Sequence, residues 1–417
     1  MRILLFTGKG GVGKTTIAAG TAVKAARTGQ RTLILSTDAA HSLADCLGLA
    51  SGTSAAEPLL VEPDLWVLQI DAQERLEKSW ADIQRYLVTV LDASGVDPIT
   101  AAELTVVPGA EEVLALLEVR DQVTSGRWDV VVVDCAPTAE TLRLLALPEA
   151  LRWYMKRVFP VERAVVRTLR PVLAKATGVP MPGETVFDAI ERLHQEMAEV
   201  QALLSGPEAS VRLVLTPEQV VLAEARRSLT TLSLFGYCVD GVVINRVFPD
   251  GGADAWRAGW VAAQREVLID VADSFGSLPQ WQAAYLATEP VGPEALVAFA
   301  DSVYADGDPL ERGISDGGAA RAGIRFESTT DGTLVRCALP FVTKSEVDLM
   351  RHGEELVITV GTYRRLITLP TGVSGMKVAS AGVREGELQI RFVAPESGPS
   401  GAPSGHSGQH TGGQDQA

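Results

Sequence analysis

Eight consecutive residues near the amino terminus have the types and spacing that could bind a phosphate chain: Gly8, Lys9, Gly10, Gly11, Val12, Gly13, Lys14 and Thr15. Backbone N–H groups of a glycine-rich turn, with a helix N-terminus behind them, form a cradle for an anion. In this pattern the lysine before the threonine reaches the β- and γ-phosphates, and the threonine hydroxyl can bind Mg²⁺. We therefore predict a nucleotide phosphate loop here, with Thr16 as a further contact.

The second lysine of this loop, Lys9, needs an explanation of its own. Lys14 already satisfies the phosphate-binding role, because one ammonium group per loop is sufficient. Lys9 is either a solvated loop residue or a source of positive charge for phosphoryl transfer.

A carboxylate, Asp38, follows the predicted strand at residues 31–37. A carboxylate within reach of a γ-phosphate can accept or polarise a hydrogen of the attacking water. The alternative role for Asp38 is to cap the next helix. A second carboxylate, Asp134, follows four valines, and a charge at the end of so apolar a run needs a partner.

Short β-branched runs alternate with longer helical patterns, and this alternation predicts a mainly parallel sheet covered by helices on both faces. The predicted strands are residues 2–7, 31–37, 65–70, 129–134, 211–216 and 241–245. Ligands bind such sheets beyond the carboxyl ends of the strands. The phosphate loop and Asp134 both lie at strand ends of this kind.

The composition narrows the classes of function. The 417 residues carry a net charge of −15, which opposes binding to nucleic acid. No apolar run is long enough to span a membrane and no targeting signal precedes residue 2, so we expect a cytoplasmic protein. Four cysteines, Cys46, Cys135, Cys238 and Cys337, lie far apart, which is typical of isolated thiols rather than of a zinc site.

Beyond the predicted sheet, four further segments differ in composition. Residues 148–205 are helical and amphipathic, and their apolar side chains form either the core of a subdomain or a groove for a hydrophobic client. Residues 306–323 have the composition of a linker that ends the first domain at residue 305. Residues 324–394 alternate as in a small β-sandwich. Residues 395–417 are predicted to be disordered.

The loop sequence Lys9-Gly10-Gly11-Val12-Gly13-Lys14-Thr15 resembles the deviant phosphate loop of the ATPase family that contains ArsA, the tail-anchored-protein targeting ATPases, MinD and ParA. The resemblance covers residues 1–300. It implies an α/β P-loop ATPase that uses ATP and Mg²⁺. It also implies a homodimer, in which Lys9 reaches the nucleotide of the other subunit.

The same resemblance assigns roles to four further residues. Asp38 lies in a segment similar to the first switch motif, where the aspartate orients the attacking water. Asp134 lies in a segment similar to the second switch motif and would hold Mg²⁺ through a water. Asn245 matches an asparagine that reads adenine, and Pro279 would line the other side of the base.

Departures from the family pattern limit what the resemblance implies. Ala39, Ala139 and Glu140 replace residues of the two switch motifs. The segment 250–254 lacks the C-x-x-C of relatives that bind zinc between subunits, and the four cysteines do not match the metalloid cluster of pump ATPases. We therefore expect neither a zinc nor a metalloid site.

The β-domain, more weakly, resembles an α-crystallin or small heat-shock fold, from its Leu339-Pro340, Leu369-Pro370 and 386–390 segments. Together the two resemblances favour a chaperone or targeting ATPase that binds and releases hydrophobic protein segments. A membrane receptor is a further candidate partner, without direct membrane insertion. Two alternatives remain: the ATPase subunit of an arsenite or antimonite efflux pump, and a positioning ATPase of the MinD and ParA type.

Overall fold

The computed structural model describes residues 1–37, 42–50, 57–70, 110–136, 138, 141–142, 146, 184–251, 254–305, 307–312 and 323–394. Several predictions from the sequence lie outside these residues. They concern Asp38, Ala39, residues 139–140, residues 148–183 of the helical stretch, most of the linker and the tail.

An eight-stranded sheet forms the centre of the first domain, in the order β3-β4-β2-β5-β1-β6-β7-β8. All neighbours are parallel except β3, which pairs antiparallel with β4. The strands are β1 (Arg2–Thr7), β2 (Thr32–Ser36), β3 (Leu59–Glu62), β4 (Leu65–Gln69), β5 (Val130–Asp134), β6 (Ala209–Leu215), β7 (Val239–Val247) and β8 (Gln280–Ala284). The predicted mainly parallel sheet is confirmed.

The described helices of this domain are α1 (Lys14–Arg27), α2 (Ser42–Cys46), α3 (Ala110–Thr124), α4 (Glu184–Leu204), α5 (Gln219–Phe235), α6 (Ala255–Phe275) and α7 (Pro293–Tyr304). Helix α1 begins directly after the glycine-rich turn and ends with Lys24 and Arg27 in its last turn, where cations favour the helix dipole. Its Thr21 hydroxyl lies 2.8 Å from the Tyr304 hydroxyl of α7. This contact fixes α7 against the helix that carries the phosphate loop.

The central strands β2 and β5 are buried along their whole length and β1 from its second residue onward, as expected for a sheet covered on both faces. Ile3, Leu4, Val131 and Val132 each have no exposed surface. Such apolar strands hold the strand ends in register, so the polar residues that follow them occupy fixed positions.

The second domain consists of two antiparallel sheets, with four strands in the order β14-β15-β10-β9 and three in the order β11-β12-β13. The strands are β9 (Ile324–Thr329), β10 (Gly332–Ala338), β11 (Val347–His352), β12 (Glu355–Val360), β13 (Tyr363–Thr368), β14 (Lys377–Arg384) and β15 (Glu387–Val393), and a short helix, α8 (Thr371–Ser374), follows β13. Every second residue of β10 is buried, which is the period of a half-buried strand. The prediction of a small all-β domain is confirmed.

The two domains contact each other through α5. The Arg365 guanidinium of β13 donates to the Leu234 carbonyl near the end of that helix, and the Thr230 hydroxyl donates to the Pro340 carbonyl at 2.6 Å. The ring of Tyr363 packs edge-on against Phe235, with centroids 6.1 Å apart. The β-domain is therefore held on the ATPase-type domain by hydrogen bonds as well as by apolar contacts.

None of the helices within the described ranges is long and apolar enough to cross a membrane.

Candidate nucleotide site

The glycine-rich turn connects the end of β1 to the start of α1, where the backbone N–H groups of a helix N-terminus can bind an anion. A Cβ atom on Gly8 would lie 2.0 Å from the Val214 carbonyl oxygen, so only glycine fits beside β6. Gly11 and Gly13 have φ values of 81° and 90°, which side chains disfavour. The sequence is thus suited to a tight loop that leaves its outer surface open to phosphate.

Both reactive side chains at the end of the loop are held by neighbours. Lys14 is 7% exposed, and its Nζ lies 3.5 Å from the Lys9 carbonyl oxygen, so the side chain curls back over the loop. The Thr15 hydroxyl lies 3.3 Å from the Ser42 hydroxyl, at the start of α2. Helix α2 therefore begins beside the loop.

Asp134 ends β5 with 1% of its surface exposed. It is in register with Phe6 of β1 and Ser36 of β2, and the Ser36 hydroxyl donates to Asp134 Oδ2 at 3.5 Å. The carbonyl of Asp134 accepts from the Thr37 N–H at 2.9 Å. The predicted alignment of these strand ends therefore brings one buried carboxylate to the edge of the sheet that carries the phosphate loop.

The donor set fits Mg²⁺ better than a metal held by protein ligands alone. In the described parts of the chain, no group of three or more His, Cys, Asp or Glu side chains could hold a metal ion. Mg²⁺ needs fewer protein ligands, because it keeps several waters and binds substrate phosphates. Thr15 and Asp134 offer the one hydroxyl and one carboxylate that this mode requires.

Asn245, at the carboxyl end of β7, is 5% exposed and contacts the phosphate loop directly. Its Nδ2 donates to the Val12 carbonyl oxygen at 2.8 Å, and its Oδ1 accepts from the Arg246 N–H at 2.9 Å. A Cβ on Gly13 would lie 2.3 Å from the same Nδ2. Asn245 therefore positions the loop, a role that the sequence did not predict.

A cavity of about 350 Å³ lies beside this asparagine and the loop. Small-molecule sites have volumes of roughly 300–1,000 Å³. The cavity is lined by Gly13, Thr16, Asn245, Arg246, Ala284, Tyr285, Leu286, Ala287, Thr288, Glu289, Pro290 and Phe299. Three predicted nucleotide contacts, Gly13, Thr16 and Asn245, thus meet in one cavity that begins where the phosphate loop ends, which is suitable for the base and ribose of a nucleotide.

The rim of the cavity is aromatic. Tyr285, which is 50% exposed, stacks on Phe248 with a centroid distance of 5.1 Å and an angle of 10°. Phe248 also contacts Trp256 and Trp260 on α6, with both centroids at 6.3 Å. Phe248, Trp256, Trp260 and Tyr285 are called the aromatic cluster below.

The prediction for Pro279 needs correction. Pro279 immediately precedes β8, and its carbonyl accepts from the Val242 N–H at 2.9 Å, within the sheet. Strands β7 and β8 are parallel, so Pro279 lies at the amino end of β8 while the cavity lies at its carboxyl end. Residues 285–290, which follow β8, line the cavity in its place.

Two features near the cavity were missed by reasoning from the sequence. Arg246 has a φ of 59°, a strained value for a side chain of this size, and Gln264 of α6 holds the backbone on both sides of this turn. Gln264 donates to the Arg246 carbonyl at 3.1 Å and accepts from the Phe248 N–H at 2.8 Å. A glutamine on a helix gives no signal of such a role.

The four cysteines are free thiols. Burial raises the pKa of Cys46 to about 12 and that of Cys337 to about 11. Burial also raises the pKa of Cys135 and of Cys238. All four therefore stay protonated near neutral pH, and protonated thiols are poor ligands for soft metals.

Comparison with known proteins gives two family matches. The model of the anion-transporting ATPase family ArsA matches residues 1–305, and the model of an HSP20-like domain found in ArsA matches residues 330–392.

Relatives match over nearly the whole chain. One from Prosthecochloris vibrioformis, named "Putative arsenical pump-driving ATPase", is 35% identical over 95% of this chain and 97% of its own length. A relative from Aquifex aeolicus with the same name and the number 1 is 31% identical over 94% of this chain and 99% of its own length. A Streptomyces coelicolor protein described as uncharacterized is 37% identical over 96% of this chain and 100% of its own length.

Proposed function

Since this chain belongs to the ArsA family of anion-transporting ATPases and is therefore an ATPase, we propose that it is a Mg²⁺-dependent homodimer that binds and releases hydrophobic protein segments. The observation that carries the proposal is a continuous path of contacts from the phosphate loop to the HSP20-like domain. Gly8 abuts Val214 of β6, α5 follows β6 along the chain and contacts it, and the β-domain docks on α5.

Different residues of this chain have separate roles in the proposed ATP hydrolysis. The N–H groups of residues 10–15 face the phosphates, and the Lys14 ammonium neutralises charge on the β- and γ-phosphates. Thr15 and Asp134 would hold Mg²⁺, which when bound neutralises charge on the transferring phosphate. Asp38 orients the attacking water and accepts its hydrogen. The pairing of Asn245 with Val12 keeps the loop in the shape that these steps need.

Two features support the homodimer. Lys14 alone fills the phosphate-binding role in this loop, so Lys9 is available to act on the nucleotide of a second subunit. The aromatic cluster also exposes apolar surface at the rim of the cavity, with Trp256 68% and Trp260 41% exposed. Exposed apolar surface of this kind is typical of interaction sites. We propose that a second copy covers this rim.

The client surface is proposed to include the helical stretch at residues 148–205, of which the structure describes α4. The HSP20-like domain supports a role with hydrophobic protein segments, because it is attached to the ATPase-type domain by direct contacts. A membrane receptor and a cytoplasmic location belong to the same proposal. Nucleic acid is not a proposed partner, since the chain carries a net charge of −15.

An efflux pump subunit is the second candidate, and it is favoured by the names of the relatives. Metalloid activation would need soft thiolate ligands, and burial raises the pKa of each cysteine in this chain. A positioning ATPase of the MinD and ParA type is the third candidate.

Steady-state ATP hydrolysis by wild type and Asp38→Asn separates these candidates, with an unfolded hydrophobic peptide, antimonite or neither added. The proposal predicts turnover that requires Asp38 and changes with the peptide. Stimulation by antimonite would favour the pump. Equal peptide affinity in the ATP-bound and ADP-bound protein would contradict the proposed coupling.

A further inference from the structure

A second cavity, of about 790 Å³, lies away from the nucleotide site, between α5 and the β-domain. One wall is a single face of α5 that includes Ala223, Arg227 and Thr230, spaced at helical intervals. The opposite wall consists of Phe341 and Val342 and of the turn from β12 to β13. We call this cavity the interdomain groove.

The groove is a fixed feature because both walls are anchored next to it. Thr230 donates to the Pro340 carbonyl at 2.6 Å, directly before Phe341. The ring of Phe341 packs on Phe275 with centroids 6.0 Å apart and lies 5.8 Å from the Arg226 guanidinium carbon. Phe341 is 43% exposed and has a φ of 63°, a strained value for a bulky residue. The Phe341 ring is therefore partly exposed at the groove.

The two arginines on the helical wall, Arg226 and Arg227, differ in whether they have a hydrogen-bond partner. The Arg226 guanidinium donates to the Ser274 hydroxyl at 2.6 Å. The exposed Arg227 guanidinium has no hydrogen bond or ion pair with a described residue. On the opposite wall, the Glu346 carboxylate accepts from the N–H and the hydroxyl of Thr343. The groove therefore presents one cation without a described partner, Arg227, on its helical wall, while the Glu346 carboxylate on the opposite wall is held by Thr343.

From these contacts we infer that the interdomain groove binds a short extended peptide in which apolar and acidic residues alternate. Its apolar side chains would lie against Phe341, Val342 and Tyr363, and its carboxylate would pair with Arg227. The wall from residue 223 to residue 231 is about 12 Å long at the helical rise. That length accommodates about four residues of an extended chain.

The groove shares no lining residue with the nucleotide cavity, so peptide binding to it can be measured apart from ATP turnover. The test uses the full chain without nucleotide and a fluorescein-labelled peptide of alternating glutamate and leucine, with binding followed by fluorescence anisotropy. The comparison peptide replaces each glutamate by glutamine. Arg227→Glu reverses the available charge, and Ala223→Trp fills one end of the groove. Arg364→Glu is the matched control, because Arg364 is exposed on β13 and does not line the groove.

We expect saturable binding of the glutamate peptide, weakened at least tenfold by Arg227→Glu and abolished by Ala223→Trp. The glutamine peptide should bind more weakly and be insensitive to Arg227→Glu. Arg364→Glu should bind as wild type does, and unchanged ATP turnover shows that the variants are folded. Absence of saturable binding, equal affinity of wild type and Arg227→Glu, or equal weakening by Arg364→Glu would overturn the inference. Failure of peptide-dependent ATP turnover would contradict the proposed function and leave this site intact.

Discussion

The side-chain amide of Asn245 donates to the carbonyl oxygen of Val12 at 2.8 Å, joining the end of β7 to the middle of the phosphate loop. Asn245 also lines the cavity, where the family resemblance assigns it to the base. The two roles are compatible, because an amide nitrogen carries two hydrogens and its oxygen has two lone pairs.

Replacement of Asn245 by alanine separates these roles. The change leaves the buried Val12 carbonyl without its donor, which costs about 1–3 kcal/mol. If the hydrogen bond to Val12 is the main role of Asn245, the affinity for ATP, GTP and inorganic triphosphate should fall by the same factor of roughly ten, measured by calorimetric titration. A loss confined to ATP would show instead that base recognition dominates.

A matched pair of glycine substitutions tests the packing of the loop. Gly8→Ala places a Cβ 2.0 Å from the Val214 carbonyl oxygen, whereas a Cβ on Gly10 meets no atom within 4 Å. Gly8→Ala should lower the free energy of unfolding of the ATPase-type domain by about 1–3 kcal/mol, the usual cost of overpacking. Gly10→Ala should change it by less than about 0.5 kcal/mol.

The ATP affinity of the Gly8→Ala and Gly10→Ala variants provides a second test of the loop. Both substitutions should weaken ATP binding. A Cβ on Gly8 would push the loop away from β6, and a side chain on Gly10 would interfere with the approach of phosphate to the backbone. Normal ATP affinity in Gly10→Ala would contradict the assignment of this turn as the phosphate cradle.

Lys9 can be tested by mixing two inactive proteins. If Lys9 acts on the nucleotide of the other subunit, Lys9→Ala should lower turnover at least a hundredfold, while ATP affinity stays near that of wild type because Lys14 remains. Mixing Lys9→Ala with Asp38→Asn should restore part of the activity. In the mixed dimer, the site on the Lys9→Ala subunit keeps its own Asp38 and receives Lys9 from the other subunit.

The control mixes Lys14→Ala with Asp38→Asn. Lys14 and Asp38 act at the same site in this proposal, so one site of the mixed dimer lacks Lys14, the other site lacks Asp38, and neither site is complete. Recovery confined to the Lys9 mixture supports action between subunits. No recovery in either mixture, with dimers verified by sedimentation, would show that Lys9 acts within its own subunit.

Thiol reactivity provides a test with a defined pH dependence. Burial raises the pKa of Cys46 to about 12, so its thiolate fraction near pH 8 is roughly one in ten thousand. Reaction of the native protein with a thiol reagent should be slow at pH 8 and should accelerate as the pH rises toward the pKa of Cys337, about 11. Unfolding removes burial, and all four thiols should then react rapidly at pH 8.

Fast reaction of the native protein at pH 8, or protection of thiols by antimonite, would contradict this expectation. Either result would also revive the metalloid-activated pump, because soft metalloids bind thiolates.

The sequence predicts those parts of the site that depend on strand ends and glycines. The Val130–Asp134 run and the loop after residue 7 both specify the carboxyl edge of a parallel sheet, and the structure places them side by side. Gly8 and Gly13 could be identified because the close approach of the backbone leaves no space for a side chain.

The far wall of the cavity could not be predicted because the sequence does not predict strand β8. Strand β8 reads Gln280-Trp281-Gln282-Ala283-Ala284 and contains no β-branched residue, so its propensity for a strand is low. Pairing with β7 forms it nevertheless. Without β8, the sequence does not place residues 285–290 at a strand end, and the family resemblance places Pro279 beside the base. The sequence also does not predict the docking of the β-domain on α5, because the hydrogen bond of Arg365 to Leu234 joins residues 131 positions apart.

That hydrogen bond leads to a prediction about how the two domains are joined. The carbonyls in the last turn of a helix have no partner within the helix, and Arg365 satisfies one of them at the end of α5. Gly236, which follows α5 with a φ of 87°, allows this approach, since a Cβ there would lie 3.3 Å from the guanidinium. Arg365→Ala should therefore weaken the docking of the β-domain without unfolding either domain. Limited proteolysis should cut residues 306–323 at least severalfold faster than in wild type. Arg364→Ala, at the neighbouring exposed position, should be cut at the wild-type rate, and equal rates for all three proteins would show that the apolar contacts suffice.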